Sequence, residues 1–120
     1  MMYTAPDLRV TAAQIEQLSR YCAQYRSDLW LSAPPTPERN QVIRCLQALQ
    51  ARLAQAREQE QREHVLVLSE EEQHTLKHLL TEMLRRATLA PASPQRTQQM
   101  AQITELLLLV GRTFRPSQRV

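Results

Sequence analysis

Two histidines one helical turn apart are the residues of this chain whose spacing could hold a metal ion. His74 and His78 would project from one face of a helix, and Glu70 would extend the same row by a further turn. Imidazole and carboxylate groups at such spacings are common zinc ligands. The leucines around them, however, place this row on the solvent side of the helix, and the sequence shows no second group of ligands. We therefore expect a solvated polar face, with no metal and no other cofactor.

Cys22 and Cys45 are the two cysteines of the chain, and their positions relate them to one turn. They are nearly equidistant from Ala33, the centre of that turn, so an antiparallel hairpin would place them at the same level on facing helices. A disulfide is geometrically conceivable, but a cytosolic thiol pair is normally reduced, and cysteine is also a common small core residue. The core interpretation is favoured. No spacing places a histidine beside either thiol, so a nucleophilic role has no support.

Arginines recur at positions where local electrostatics disfavours them. Arg39 and Arg96 each fall in the first turn of a predicted helix, where a cation opposes the helix dipole. We expect each guanidinium to have a partner, either a carboxylate or a C-terminal carbonyl of the neighbouring helix, or else a phosphate. The carboxylate or carbonyl is the favoured alternative. The candidate phosphate- or carboxylate-binding cations are Arg39, Arg85, Arg86, Arg96, Arg112 and Arg115.

Composition excludes several enzyme classes. The 120 residues include a single glycine, Gly111. A phosphate-binding P-loop, a dinucleotide-binding fingerprint and a nucleophile elbow each require at least two glycines. The composition is otherwise that of helices joined by proline-marked turns, and the length suits one compact core. We expect a protein that is not an enzyme.

A turn followed by a helix start occurs twice in the chain. It reads Thr36-Pro37-Glu38-Arg39-Asn40-Gln41 and, further on, Ser93-Pro94-Gln95-Arg96-Thr97-Gln98. In both copies a hydroxyl residue suited to the N-cap precedes a proline at the first helical position. Arginine and glutamine then follow at matched offsets. The match predicts an internal duplication of one helical hairpin.

The apolar periodicity assigns two helices to each copy. Hairpin one covers about residues 11–56, hairpin two about residues 69–111, and a basic tail residues 112–120. Thr11 and Ser69 open capping boxes at the start of each hairpin. We predict one all-α domain in which two tandem hairpins form a four-helix bundle or a short helical repeat.

The ends of the helices are predicted from breaks in the pattern. The first helix is expected to end near Leu29, with Trp30 plugging the hairpin end rather than serving as a binding hot spot. Residues 57–63 are wholly polar, and their mixed charges favour a helical extension over a linker. Gly111 is expected to end the fourth helix.

Two short apolar runs precede the capping boxes. Residues 8–10 and 65–68 stand at matched positions before Thr11 and Ser69. We expect both runs to be extended and to pair with one another.

Leucines surround the predicted fourth helix near its end. The run Leu106–Val110 places apolar side chains on every face, and one inward stripe cannot bury both Leu108 and Leu109. Their counterparts in the first copy, Ala51 and Arg52, are not bulky apolar residues. Extra leucines on a terminal helix suggest a protein interface, with the other hairpin or with another chain.

Function follows from these surfaces as two hypotheses. The first is a non-enzymatic protein-interaction module, self-associating or part of a larger assembly. The alternative is a nucleic-acid-binding accessory protein that uses an arginine-rich face, in keeping with a formal net charge of +3 and a pI near 9.3. No signal peptide and no membrane-spanning run are evident, so we expect a cytoplasmic protein that does not enter a membrane.

Overall fold

Four long helices and two short strands make up the described part of the chain. The computed structural model describes residues 7–59 and 61–113. The elements, in chain order, are β1 (Asp7–Thr11), α1 (Ala12–Ser32), α2 (Pro37–Arg57), β2 (Glu63–Val67), α3 (Glu70–Leu89) and α4 (Pro94–Thr113). α1 packs against α2 and α3 against α4, which confirms the all-α class and the two tandem hairpins.

Capping side chains fix the starts of α1 and α3. The Thr11 hydroxyl accepts a hydrogen bond from the Gln14 backbone N–H at 3.1 Å, and the Gln14 side chain accepts one from the Thr11 N–H at 2.9 Å. Ser69 and Glu72 repeat this exchange at 3.2 and 2.8 Å. Each box satisfies N–H groups that a helix start otherwise leaves unpaired. Both predicted capping boxes are confirmed.

The proline turns fix the starts of α2 and α4. Thr36 accepts from the Arg39 N–H at 3.1 Å, and Ser93 accepts from the Arg96 N–H at 3.0 Å. Proline follows each cap as the first helical residue, where its missing N–H breaks no helical hydrogen bond. The same local chemistry therefore starts the second helix of both hairpins.

Three predicted boundaries are wrong. α1 continues past Leu29 to Ser32, and α4 runs through Gly111, which does not adopt the left-handed conformation of a helix-ending glycine. The polar stretch 57–63 is not a helical extension. α2 ends at Arg57 and β2 begins at Glu63. Without apolar side chains to pack against the core, side-chain pairs alone do not carry a helix onward.

The two strands pair as predicted from their positions. β1 and β2 are antiparallel, and Leu8 lies opposite Leu66. Their inward side chains, including Val10 and His64, are buried against the helices, while Arg9 and its neighbours on the outer face are exposed. The sheet thus closes one end of the core with alternating side chains.

The register of this sheet relates the two halves of the chain. Leu66 lies 58 residues after Leu8, the same offset that separates Thr11 from Ser69 and Leu18 from Leu76. Leu8 is therefore paired with its own counterpart. An antiparallel pairing centred on two equivalent residues is unchanged when the halves are exchanged, as in a two-fold symmetric dimer. The strand pair is therefore locally two-fold symmetric, and each strand leads into one helical hairpin, β1 into α1 and α2 and β2 into α3 and α4.

Candidate interaction surface

The leucine run of α4 is graded from buried to exposed. Leu106 and Val110 are buried in the core, while Leu107 and Leu109 are half-buried and pack against it. Leu108 is 57% exposed. Of the two leucines predicted to need a second surface, Leu109 is thus partly covered by the core of the packed hairpins, and Leu108 is exposed.

The same positions of the first hairpin carry different chemistry. Ala51, the counterpart of Leu108, is exposed. Arg52, the counterpart of Leu109, donates from Nε to the carboxylate of Glu72 at 2.7 Å. Burial would raise the pKa of Glu72, but the hydrogen bonds from Arg52 and Ser69 outweigh it and lower that pKa. One hairpin thus uses an ion pair where the other presents leucines.

Arg39 and Arg96 both bind carbonyl groups at the end of the preceding helix. Arg39 Nη1 donates to the carbonyl oxygen of Ala33 at 3.4 Å. Arg96 donates from Nε to Ala87 at 3.1 Å and from Nη2 to Thr88 at 3.2 Å. A helix C-terminus leaves carbonyls unpaired and carries negative partial charge, so a cation is favoured there. The repeated arginine holds each proline turn closed.

Arg85 and Arg86 bind carboxylates within the molecule. Both donate to Glu82, with distances of 2.6 Å from Arg85 Nη2 and 3.0 Å from Arg86 Nε. The hydrogen bond from Arg85, followed by that from Arg86, lowers the pKa of Glu82 to about 2 despite the opposing effect of burial. Arg86 also pairs with Asp28 of α1. The side chain of Arg112 and the whole of Arg115 lie outside the described residues.

The pair of Arg86 with Asp28 joins the C-terminal parts of α3 and α1. Three large apolar side chains follow these residues in the sequence and are exposed: Trp30 is 66% exposed, Leu31 79% and Leu89 72%. The prediction that Trp30 plugs the hairpin end is therefore wrong. Because α1 continues to Ser32, Trp30 lies on an outer face of its last turn. Extending the helical pattern by one turn in the sequence would have revealed this exposure.

The two cysteines are free thiols in different surroundings. Cys22 is buried in the core, and this burial raises the pKa of its thiol to about 12. Cys45 is half-exposed, and its Sγ lies 3.9 Å from Oε2 of Glu71 on α3. The environment of Cys22 keeps its thiol protonated, and a protonated thiol is a poor nucleophile.

The histidine row of α3 faces outward. His74 and His78 are both exposed, and the His78 Nε2 lies 3.0 Å from the Tyr25 hydroxyl of α1. Over residues 7–59 and 61–113, no three or more histidine, cysteine or acidic side chains are grouped so that they could hold a metal ion. The row thus includes one link between the hairpins.

Comparison with protein-family models, with curated proteins and with solved structures finds no match for this chain. Within the described ranges, none of the helices has the length and apolar character needed to cross a membrane.

Proposed function

We propose that the chain is a small non-enzymatic protein-interaction module that self-associates, or joins a larger assembly, through the leucine surface of α4. The observation that carries this proposal is Leu108, 57% exposed between the half-buried Leu107 and Leu109. Removing an exposed leucine from water against a second surface lowers the free energy of the assembly. A second copy of α4 is the simplest such surface, because a two-fold dimer presents the same patch twice.

The difference between the hairpins supports α4 as the binding helix. Ala51 and Arg52 stand where α4 has Leu108 and Leu109, and Arg52 is held in its ion pair with Glu72. The hairpin therefore folds without leucines at these positions. An additional role for the leucines of α4 accounts for their presence.

The alternative function is that of a nucleic-acid-binding accessory protein. The ion pairs and hydrogen bonds that the arginines form within the molecule argue against it. Arg85 and Arg86 are bound to Glu82 and Asp28, and Arg39 and Arg96 to backbone carbonyls. A phosphate would have to compete with these partners, which weakens its binding. We likewise propose a cytoplasmic location, since two free thiols suit a reducing compartment.

Substitution of Leu108 by glutamate tests the proposal. Ala51→Glu is the matched control, because it introduces the same charge at the equivalent exposed position of the first hairpin. Sedimentation equilibrium over a range of concentrations should show an oligomer for the unmodified chain and for Ala51→Glu. Leu108→Glu should be monomeric with an unchanged cooperative melt, because a charge at an apolar interface opposes association but is tolerated on a free surface.

Two results would argue against self-association through α4. A monomer at every concentration for the unmodified chain would leave a different protein as the partner. Loss of the folded state in Leu108→Glu would make this leucine part of the core. Added salt separates the alternative function, because binding to a nucleic acid weakens steeply with salt whereas leucine-driven association does not.

A further inference from the structure

A groove of about 410 Å³ lies between α1 and α2 beside the exposed tryptophan. Its walls combine a partly exposed ring and a buried aliphatic side chain with three polar side chains. The lining residues are Arg26, Ser27, Trp30, Ile43 and Gln47. Binding clefts commonly have apolar walls with a few polar groups that orient the ligand.

Arg26 gives this groove a positive charge that the described part of the chain does not neutralise. Its side chain is half-buried, yet over residues 7–59 and 61–113 it forms neither a hydrogen bond nor an ion pair. No carboxylate lines the groove. A second guanidinium, that of Arg39, lies 5.0 Å from the centroid of the Trp30 ring. Partial desolvation of an unpaired cation is unfavourable, and a carboxylate from outside would relieve it.

The second hairpin shows that the fold does not require an arginine here. Leu84 occupies the position equivalent to Arg26, and Met100 the position equivalent to Ile43. Both pack against the hydrophobic core. Where the position of Arg26 serves packing alone, as in the second hairpin, it therefore holds a leucine. Arg26 instead has a charge available for a ligand.

We propose that this groove binds a short acidic segment of another protein, with a bulky aliphatic side chain against Trp30 and Ile43 and a neighbouring carboxylate on Arg26. A groove of about 410 Å³ lined by five residues suits a short segment rather than a globular surface, which would need about 800 Å² on each side. The aliphatic wall of Ile43 fits a leucine-like side chain better than a flat base. This site is separate from the leucines of α4 and goes beyond the self-association proposed for them.

Selection from a library of random short displayed peptides tests the proposal on the whole chain. The enriched peptides should carry aspartate or glutamate next to leucine, isoleucine or methionine. Arg26→Gln should weaken their binding by at least about tenfold, the effect of losing one charge-assisted hydrogen bond. Arg20→Gln, an exposed arginine further back on α1 that does not line the groove, is the matched control and should bind as the unmodified chain does.

Trp30 reports directly on occupancy because it is the single tryptophan of the sequence. Its fluorescence should shift to shorter wavelength as a selected peptide covers the ring, and the shift should saturate. The same measurement with vesicles containing an anionic lipid, and with a single-stranded oligothymidine, should show no saturable shift.

Several outcomes would overturn the proposal. These are a selection that enriches no sequence, enriched peptides without acidic residues, and equal binding by Arg26→Gln. A shift with vesicles or oligothymidine but not with peptides would assign the groove to a lipid or nucleic-acid ligand. None of these results depends on the oligomeric state of the chain, so the test of self-association through α4 is independent of them.

Discussion

Asp28 and Arg86 occupy equivalent positions in the two halves of the chain and meet in an ion pair. Arg86 lies 58 residues after Asp28, the offset that also relates Leu8 to Leu66. In an arrangement with two-fold symmetry, residues that meet their own counterparts lie on the axis. In a dimer of identical units such a residue would face its own copy, so an aspartate would face an aspartate. The opposite charges seen here favour pairing of unlike halves within one chain.

A double-mutant cycle on this pair should give a coupling free energy of about 1 kcal/mol, as expected for a partly exposed ion pair. The variants are Asp28→Ala, Arg86→Ala and the combination, compared by denaturant unfolding. The cycle is needed because Arg86 also donates to Glu82. Asp28→Arg should destabilise more than Asp28→Ala, since it sets two guanidinium groups against each other. Equal effects of these two substitutions would mean that the charges do not interact.

Truncation of an inward-facing side chain of the sheet should lower the stability of the chain. Leu8 is fully buried opposite Leu66, and Leu8→Ala should lower the free energy of unfolding by about 3 kcal/mol through lost burial and the cavity that remains. Val65→Thr on the exposed outer face is the control, and its effect should stay within about 0.5 kcal/mol. Comparable losses for both variants would show that the outer face is also covered.

Stability should fall in acid partly through Glu82. Its pKa in the folded chain is about 2, below its ordinary value of 4.5, because Arg85 and Arg86 hydrogen-bond the charged form. The resulting stabilisation is present above pH 4.5 and is lost as the pH falls from 4.5 through 2. For a pair near the surface it amounts to about 1 kcal/mol.

Glu82→Gln should therefore destabilise the chain at pH 7 and differ progressively less from it between pH 4.5 and 2. Thermal melts across this range provide the measurement. Glu105→Gln, at an exposed position of α4, is the control for removing a surface carboxylate and should change the stability at pH 7 by no more than about 0.5 kcal/mol. A constant difference between Glu82→Gln and the unmodified chain at every pH would contradict the lowered pKa.

Thiol labelling should distinguish the two cysteines. Cys45 is half-exposed, whereas Cys22 is buried with its pKa raised to about 12. Under native conditions iodoacetamide should add to Cys45 and reach Cys22 only after unfolding, because alkylation requires an accessible thiolate. Mass spectrometry should find one adduct on the native chain and none on Cys45→Ser. Labelling of Cys22 at a similar rate would show that the core opens readily.

The local features of this fold could be predicted from the sequence because neighbouring residues determine them. The caps at Thr11 and Ser69 and the two proline turns depend on side chains within three or four positions. The continuation of α4 through Gly111 could not be predicted, since helix ends depend on packing against other elements. The exposure of Trp30 follows from the apolar pattern of α1 once that pattern is extended by one turn. The ion pair of Asp28 with Arg86 could be predicted only after the two halves of the chain had been aligned with one another. The offset of 58 residues that these two residues share with Leu8 and Leu66 would then have indicated the pair.

The pairing of β1 with β2 also has a consequence for the newly made chain. β2 begins about 50 residues after β1 ends, so during synthesis the whole first hairpin is made before β1 has its partner strand. At about 5–20 residues per second, this leaves the inward face of β1 without its partner for several seconds. Leu8 and Val10, fully buried in the finished protein, then depend on α1 for cover. In the ribosome-bound first half, β1 is therefore an unpaired, aggregation-prone strand, because its partner β2 has not yet been translated.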